Sequence, residues 1–206
     1  MSHAPDKAAL LEFRAQIRSR HPALREALLE DARVTAAHRG ERFEFSSRLD
    51  AALQILRLAW VSDGFLAFAL YRAKARMQAL GVPVLPRLAH RLAIAIAEIS
   101  IGDSAVIAPG VYVVHGQIVI DGITEVERGA VIAPFVTVGL RAGNLQGPVI
   151  EANVNIGTGA KLIGPIRVGA GAAIGANAVV VEDVPEGATV AGVPARQVGT
   201  KTPDPA

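Results

Sequence analysis

Apolar and polar residues follow two different periods along the chain. Up to about residue 97, apolar positions recur three and four residues apart in segments rich in Ala, Leu and Arg. This spacing is typical of amphipathic helices. It predicts five helices, at residues 6–18, 23–37, 47–60, 65–80 and 88–97. Ser47, three residues before Asp50, is a cap-like helix start, and Gly81-Val82-Pro83 ends a helix.

From Ile101 onward the period becomes six. One apolar residue recurs in each hexad, with a slip of one residue after Val113 and a single break at Asn144. Four residues later a second small or apolar residue recurs, except at Gln117. The apolar positions are Ile101, Ile107, Val113, Ile120, Val126, Ile132, Val138, Ile150, Ile156, Leu162, Val168, Ile174 and Val180. Neither a strand period nor a helix period gives this spacing, and it predicts a solenoid whose flat faces are short strands.

Composition restricts the protein's class and its partners. Half of the 206 residues are hydrophobic (51%) and 19% are charged, which excludes a disordered chain. The net charge of +2 makes nucleic acid an unexpected partner. The chain has no cysteine, so disulfides, thiolate metal sites and thiol nucleophiles are excluded. Charged residues interrupt the most apolar windows, so we expect packed helices and no membrane span. The N-terminal residues do not form a secretory signal, so we expect a cytoplasmic location.

The two breaks in the six-residue period are the candidate functional segments, because residues that keep the period hold a solenoid together. They are residues 114–117 and 140–148, the second of which predicts a polar loop leaving the surface. His115 is the single histidine in the repeat region. A neutral imidazole accepts a proton near pH 7, so His115 is a candidate general base. The alternative is that it is a surface residue at a coil corner.

Several motifs resemble known families. Six-residue repeats are similar to those of the left-handed β-helix acyltransferases. More specifically, residues 65–199 resemble the serine O-acetyltransferases, through Phe65-Leu66-Ala67-Phe68-Ala69-Leu70-Tyr71-Arg72, Val114-His115-Gly116-Gln117-Ile118-Val119-Ile120, Val136-Thr137-Val138-Gly139, Ile156-Gly157-Thr158-Gly159-Ala160-Lys161-Leu162-Ile163-Gly164 and Ala191-Gly192-Val193-Pro194-Ala195-Arg196. The expected fold is therefore α+β, with a helical region (1–97), a left-handed parallel β-helix (98–199) and a tail (200–206).

The resemblance implies an acetyltransferase that uses acetyl-CoA as co-substrate and no metal. It implies that His115 is the general base and that the backbone at Gly139, Thr158 and Ala176 lines the pantetheine arm. Arg196 and Lys201 would meet the CoA phosphates. The alternative is that Gly139, Thr158 and Ala176 are only the small residues that every coil needs. Arg196 and Lys201 would then be the cations of a solvated tail.

Departures from the serine enzymes leave the acceptor open between L-serine, a sugar and another small metabolite. Val114 and Ser100 replace two aspartates of that family, and Gln146-Gly147 replaces an Arg-His pair. Asp50 and Asp63 of the helical half are candidates to orient the base or to meet the acceptor. The loop offers three further acceptor-binding candidates, or else is merely solvated: Arg141, Asn144 and Gln146.

Other functions are possible on a solenoid. A carbonic anhydrase of this fold needs three histidine ligands, whereas the repeat region has one. A nucleotide-binding domain is not indicated, because no Gly-rich loop follows a strand in the helical half. A structural solenoid without catalysis remains the non-enzyme alternative. The resemblance also implies a homotrimer or a dimer of trimers. Serine O-acetyltransferases typically dock a sulfhydrylase partner through a terminal isoleucine, so the C-terminal Ala206 makes that partner doubtful.

Overall fold

Five helices open the chain in the computed structural model, which describes residues 7–200 and the side chains of residues 12, 13 and 15–200. They are α1 (Lys7–Arg20), α2 (Leu24–His38), α3 (Arg48–Val61), α4 (Asp63–Ala79) and α5 (Leu85–Ala97). The observed bounds lie within three residues of those that the apolar spacing predicts. Ser47 is the N-cap of α3, where its hydroxyl accepts a hydrogen bond from the Asp50 amide at 3.1 Å.

Fifteen short strands follow the helices. They are β1 (Ile99–Ile101), β2 (Val106–Ile107), β3 (Tyr112–Val113), β4 (Ile118–Ile120), β5 (Ile123–Val126), β6 (Val131–Ile132), β7 (Thr137–Gly139), β8 (Gln146–Ile150), β9 (Asn155–Ile156), β10 (Lys161–Ile163), β11 (Arg167–Val168), β12 (Ala173–Ile174), β13 (Val179–Val180), β14 (Ala188–Ala191) and β15 (Arg196–Thr200).

The strands form the three faces of a prism. The first face holds β1, β4, β7, β10 and β13, the second holds β2, β5, β8 and β11, and the third holds β3, β6, β9, β12, β14 and β15. Successive strands of a face pair in parallel, except that β15 pairs antiparallel with β14, the one antiparallel pair among residues 7–200. All thirteen apolar positions of the repeat are buried inside the prism. The predicted helical region and left-handed β-helix are confirmed.

The loop between β7 and β8 is shorter than the sequence predicts. We expect a polar loop over residues 140–148, but β8 already begins at Gln146 and pairs with β5. Gly147 and Pro148 are buried, and a side chain at Gly147 would overlap the Thr124 hydroxyl. The exposed loop is therefore residues 140–145, and Ala142 points to solvent within it.

Side chains of α4 close the N-terminal end of the prism. The first coil has no preceding coil to pair with its carbonyl groups. The Tyr71 hydroxyl donates to Ala105 O at 2.8 Å, Lys74 Nζ donates to Ile101 O at 2.7 Å, and Arg72 donates to Ala108 O at 2.8 Å. Burial raises the pKa of Tyr71 to about 12. Arg72 also pairs with buried Asp31, so polar groups that would otherwise be unsatisfied hold the helices on the prism.

Candidate functional site

His115 lies at an enlarged corner of the prism. Val114 N donates to Ile132 O, and Val119 N donates to Val136 O one face further on, which leaves four residues between these two ladder bonds. The next coil spans the same corner with three residues, from Ala133 to Thr137. The slip in the sequence period is thus one extra residue at this corner. The His115 side chain is exposed at this enlarged corner.

Two helix ends press against this corner. A side chain at Gly64, near the start of α4, would overlap the Val113 carbonyl oxygen. A side chain at Gly116 would overlap Ala97 O at the end of α5 and would lie 3.5 Å from the Glu98 Cβ atom. Both glycines therefore permit close packing that fixes the backbone on either side of His115. Among the contacts of the described residues, none is a hydrogen bond to the imidazole.

The corners between the third and first faces form a column that we call the His115 edge, comprising residues 114–117, 133–136, 157–160 and 175–178. Gly159 N donates to Pro134 O at 2.9 Å, and Asn177 N donates to Thr158 O at 2.8 Å, so successive corners stack in register. Strands in a sheet are about 4.8 Å apart, which places Thr158 about two coils and Ala176 about three coils from His115. Thr158 and Ala176 are both exposed. Two of the three predicted pantetheine positions therefore share an edge with His115.

Gly139 and the loop of residues 140–145 lie at a different edge, between the first and second faces. The Arg141 side chain packs beside Gly164 and reaches Val181 O at 3.5 Å, toward the C-terminal coils. The Asn144 side chain accepts a hydrogen bond from Gln146 N at 2.8 Å, and both residues are exposed. Within one chain, the structure does not bring these acceptor candidates to His115.

The two carboxylate candidates of the helical half have different surroundings. Asp50 accepts two hydrogen bonds of 2.7 Å from Arg42 and two more from Ser46, and the Arg42 bond first and the Ser46 bonds next hold its pKa far below the usual value. Asp63 is exposed at the start of α4, beside Gly64 and hence near the His115 corner. Sequence reasoning missed Glu98, which caps α5 with φ of 55° and meets Gly116. Its signal was the end of the helical pattern next to the coil that carries His115.

The predicted phosphate ligands lie at the C-terminal end. Arg196 is exposed on β15 and lies 3.4 Å from Glu182, and Lys201 lies outside the described residues. Sequence reasoning also missed Lys161, whose ammonium donates to Phe135 O at 2.6 Å across the His115 edge. Lys161 is the single lysine between residues 99 and 200, a signal that the sequence offered.

A second concave region lies away from the His115 edge. It is a cleft of about 790 Å³ between α4, α5 and the first coil, lined by Lys74, Arg87, His90 and Asp103 among others. Burial, and then Lys74, lowers the pKa of His90. Burial opposes ionisation of Asp103, but its hydrogen bond and charge interaction with Lys74 keep the pKa of its carboxyl below normal. In residues 7–200, no three His, Asp or Glu side chains are grouped as a metal site.

No single described helix is long and apolar enough to cross a bilayer. Only α3 and α4 taken together reach that length and composition, and they meet at a bend of 117°.

Known proteins provide an independent comparison. No protein-family model matches the chain. Serine acetyltransferase from Mycobacterium tuberculosis is 38% identical over 128 residues, covering 61% of this chain and 56% of that protein. The serine acetyltransferase of Synechococcus elongatus is 34% identical over 152 residues, covering 72% of this chain and 62% of that protein. The chain thus spans about three fifths of the length of these relatives.

Solved structures extend the similarity to the helical half. A truncated serine acetyltransferase apoenzyme superposes with a TM-score of 0.73 at 27% identity, covering 93% of this chain and 77% of that one. The chain resembles serine acetyltransferases in sequence and in fold. A serine acetyltransferase complex with CoA matches with a TM-score of 0.68 at 28% identity, covering 93% and 76%. The Neisseria gonorrhoeae serine acetyltransferase in complex with serine matches with a TM-score of 0.71 at 26% identity, covering 94% and 78%.

Proposed function

We propose that the protein is an acetyltransferase that moves the acetyl group of acetyl-CoA to the hydroxyl of L-serine or of a similar small acceptor. The observation that carries this proposal is the placement of His115, in the one enlarged corner of an edge that also exposes Thr158 and Ala176. The serine acetyltransferases to which the chain is similar include structures with CoA and with serine. Their names support both substrates.

In the proposed reaction, neutral His115 takes the proton of the acceptor hydroxyl as the oxygen attacks the thioester carbonyl carbon. The new C–O bond forms, the C–S bond breaks, and the imidazolium returns the proton to the leaving CoA thiolate. The backbone along Thr158 and Ala176 lines the pantetheine arm, and Arg196 and Lys201 meet the phosphates. No covalent enzyme intermediate is needed.

The acceptor contacts require a second subunit in this proposal. The loop candidates Arg141, Asn144 and Gln146, together with Gly139, lie at another edge of the same prism. Association of three prisms, or of two such trimers, would set that edge of one subunit opposite the His115 edge of its neighbour. A stable monomer with full activity, measured by light scattering, would contradict this assembly.

The test is a thiol-release assay with acetyl-CoA and a panel of acceptors that includes L-serine, sugars and other hydroxylated metabolites. We expect His115→Ala to lower kcat by about 10²-fold or more, the usual contribution of a positioned base. His38→Ala, which removes an exposed histidine of α2, is the matched control and should leave kcat unchanged. Unchanged turnover in His115→Ala removes this residue from the mechanism. Absence of turnover with every acceptor favours the non-catalytic solenoid.

The same panel distinguishes the acceptors. The serine resemblance predicts that L-serine gives the highest kcat/KM, whereas the replacements at Ser100, Gln146 and Gly147 favour a different small acceptor. Asp63 and Glu98 are near enough to the His115 corner for variants of either to test which carboxylate orients the base. An Asp50 variant tests the same role in the assembled enzyme.

A further inference from the structure

Phe135 has a left-handed backbone conformation, which is rare for an aromatic residue. Nine corners of the prism, on two of its edges, contain a residue with φ between 56° and 80°, and eight of these residues are glycine, asparagine or glutamine. The ninth is Phe135, with φ of 64°. The nine are Gly110, Gln117, Gly129, Phe135, Asn153, Gly159, Gly171, Asn177 and Gly187. A bulky residue in this left-handed region costs about 1–2 kcal/mol, so the position calls for an explanation.

Burial does not supply that explanation, because Phe135 is 49% exposed. The backbone around it is nevertheless held on both sides. Lys161 Nζ donates to Phe135 O at 2.6 Å, Gly159 N donates to Pro134 O at 2.9 Å, and Val119 N donates to Val136 O at 3.1 Å. The corner is thus fixed while an aromatic ring stays at the surface. Backbone strain held in this way by its surroundings is concentrated at functional sites.

The position of Phe135 on the His115 edge is specific. Its corner lies one coil beyond that of His115 and one coil before that of Thr158, at about 4.8 Å per coil. The lean of its ring follows from the other corners. A side chain at Gly129 would overlap Asn153 Oδ1, and one at Gly159 would overlap Asn177 Oδ1, so the left-handed residue of one coil leans over the corner of the preceding coil. By the same geometry, the Phe135 side chain would lean toward Gln117 in the His115 corner.

We infer that the Phe135 ring is the wall of the acyl pocket and limits the size of the acyl group that the enzyme transfers, an inference that rests on the function proposed above. In that function the acceptor oxygen lies beside His115, and the thioester carbonyl must come within about 3.5 Å of it. The pantetheine arm passes Thr158, two coils away. The acyl group and the sulfur therefore lie at the level between them, which is the level of Phe135. A fixed aromatic ring there leaves room for acetyl and excludes longer chains.

The experiment compares acetyl-CoA, propionyl-CoA and butyryl-CoA as donors with one acceptor. We expect Phe135→Ala to raise the ratio of kcat/KM for butyryl-CoA to that for acetyl-CoA by about 10–100-fold, the scale of one or two methylenes in an apolar pocket. Phe135→Gly, which suits the left-handed backbone, should give the same change and guards against a folding defect. Asn177→Ala, in the same column two coils further along, is the control and should leave the ratio unchanged.

An unchanged ratio in both Phe135 variants overturns the inference, as does an equal change in Asn177→Ala. Loss of the oligomer in Phe135→Ala, with the ratio kept, would instead make Phe135 a subunit contact and also overturns it. A wild-type protein that transfers no acetyl group contradicts the proposed function, and the size limit at Phe135 is tested by binding alone. The ratio is then taken from calorimetric Kd values of the same three thioesters, and equal ratios in wild type and Phe135→Ala overturn it.

Discussion

Two edges of the prism turn each coil with a residue in the left-handed conformation, and they differ in which residues occupy the corners. The glycine edge, at residues 108–111, 127–130, 151–154, 169–172 and 185–187, turns each coil with Gly110, Gly129, Asn153, Gly171 or Gly187. The His115 edge uses glycine or asparagine in the same way at Gly159 and Asn177. At its first two corners, however, it carries an extra residue beside His115 and an aromatic ring at Phe135.

The difference separates residues that maintain the solenoid from residues that the solenoid does not need. Asparagine and glycine meet the backbone requirement of a corner at little cost. The corners of His115 and Phe135 place glutamine and phenylalanine in that backbone conformation, which costs more free energy. Both corners lie at one end of the same edge. Since the two edges share the same ladder, a matched substitution on each edge separates an effect on folding from an effect on function.

The largest expected contrast between the two edges comes from a carboxylate introduced at the same place on each. Ala176 on the His115 edge and Ala152 on the glycine edge each precede an asparagine with positive φ. Ala176→Glu should raise KM for acetyl-CoA by about 10²-fold, because its side chain would occupy the path of the pantetheine arm and each 1.4 kcal/mol of lost binding is tenfold. Ala152→Glu should leave KM unchanged. Steady-state kinetics decide, and equal KM values in the two variants would mean that CoA does not follow this edge.

Two glycines give the next contrast. Gly129 and Gly159 have φ of 72° and 77°, and a side chain at either would overlap an asparagine of the next coil. Alanine at either position should lower the free energy of unfolding by about 1–2 kcal/mol, the cost of the left-handed conformation. Urea denaturation should show equal losses in the two variants. Only Gly159→Ala should also raise KM for acetyl-CoA, and an equal effect of Gly129→Ala on KM would erase the distinction between the edges.

Acid should lower the stability of the helical region that closes the N-terminal end of the prism. His21, beside Tyr71, is partly buried, and burial first, then Arg72, Lys74 and Arg20, lowers its pKa to about 4. The unfolded chain binds this proton at a pKa of about 6.5, so stability should fall as pH falls from about 6.5 to about 4. His21→Asn should reduce the slope of that part of the profile, and the remaining slope should come in part from His90, whose pKa burial also lowers. Thermal unfolding across this range measures both, and a flat wild-type profile would show that His21 does not contribute.

The smallest effect is expected at Arg196. Its contact with Glu182 is 3.4 Å long and exposed on both sides. Arg196→Ala should therefore change the free energy of unfolding by less than about 0.5 kcal/mol, as is usual for a surface ion pair. If Arg196 meets a CoA phosphate, KM for acetyl-CoA should rise by about threefold to tenfold. A Glu182→Ala control should not raise it.

Much of the fold was predictable, because an apolar residue recurs in each hexad to fill the inside of the prism. Every apolar residue of the hexad lies inside the prism, and the slip after Val113 marks the corner of His115. The contacts of Tyr71 and Lys74 were not predictable, because their partners are backbone carbonyls of the first coil and carry no sequence signal. Phe135 reads as an ordinary apolar residue until the register shows that its position requires a left-handed backbone.

The candidate site was predictable only in part. His115 and the small residues of its edge followed from the broken period and from the resemblance. The loop and the end of α5 did not follow, because their distance from His115 depends on which edge each reaches and on how the helices pack. Glu98 reaches the His115 corner only through the close contact of Gly116 with the end of α5.

The cap that α4 places on the first coil also bears on how the molecules behave when crowded together. A parallel ladder is open at both ends, and each open end is a template on which another chain can add a strand. Here Tyr71, Arg72 and Lys74 occupy carbonyl groups of the first coil, and β15 turns antiparallel beside β14 at the other end. Both ends of the rod are thereby blunted, which disfavours the end-to-end addition of strands that would build fibres.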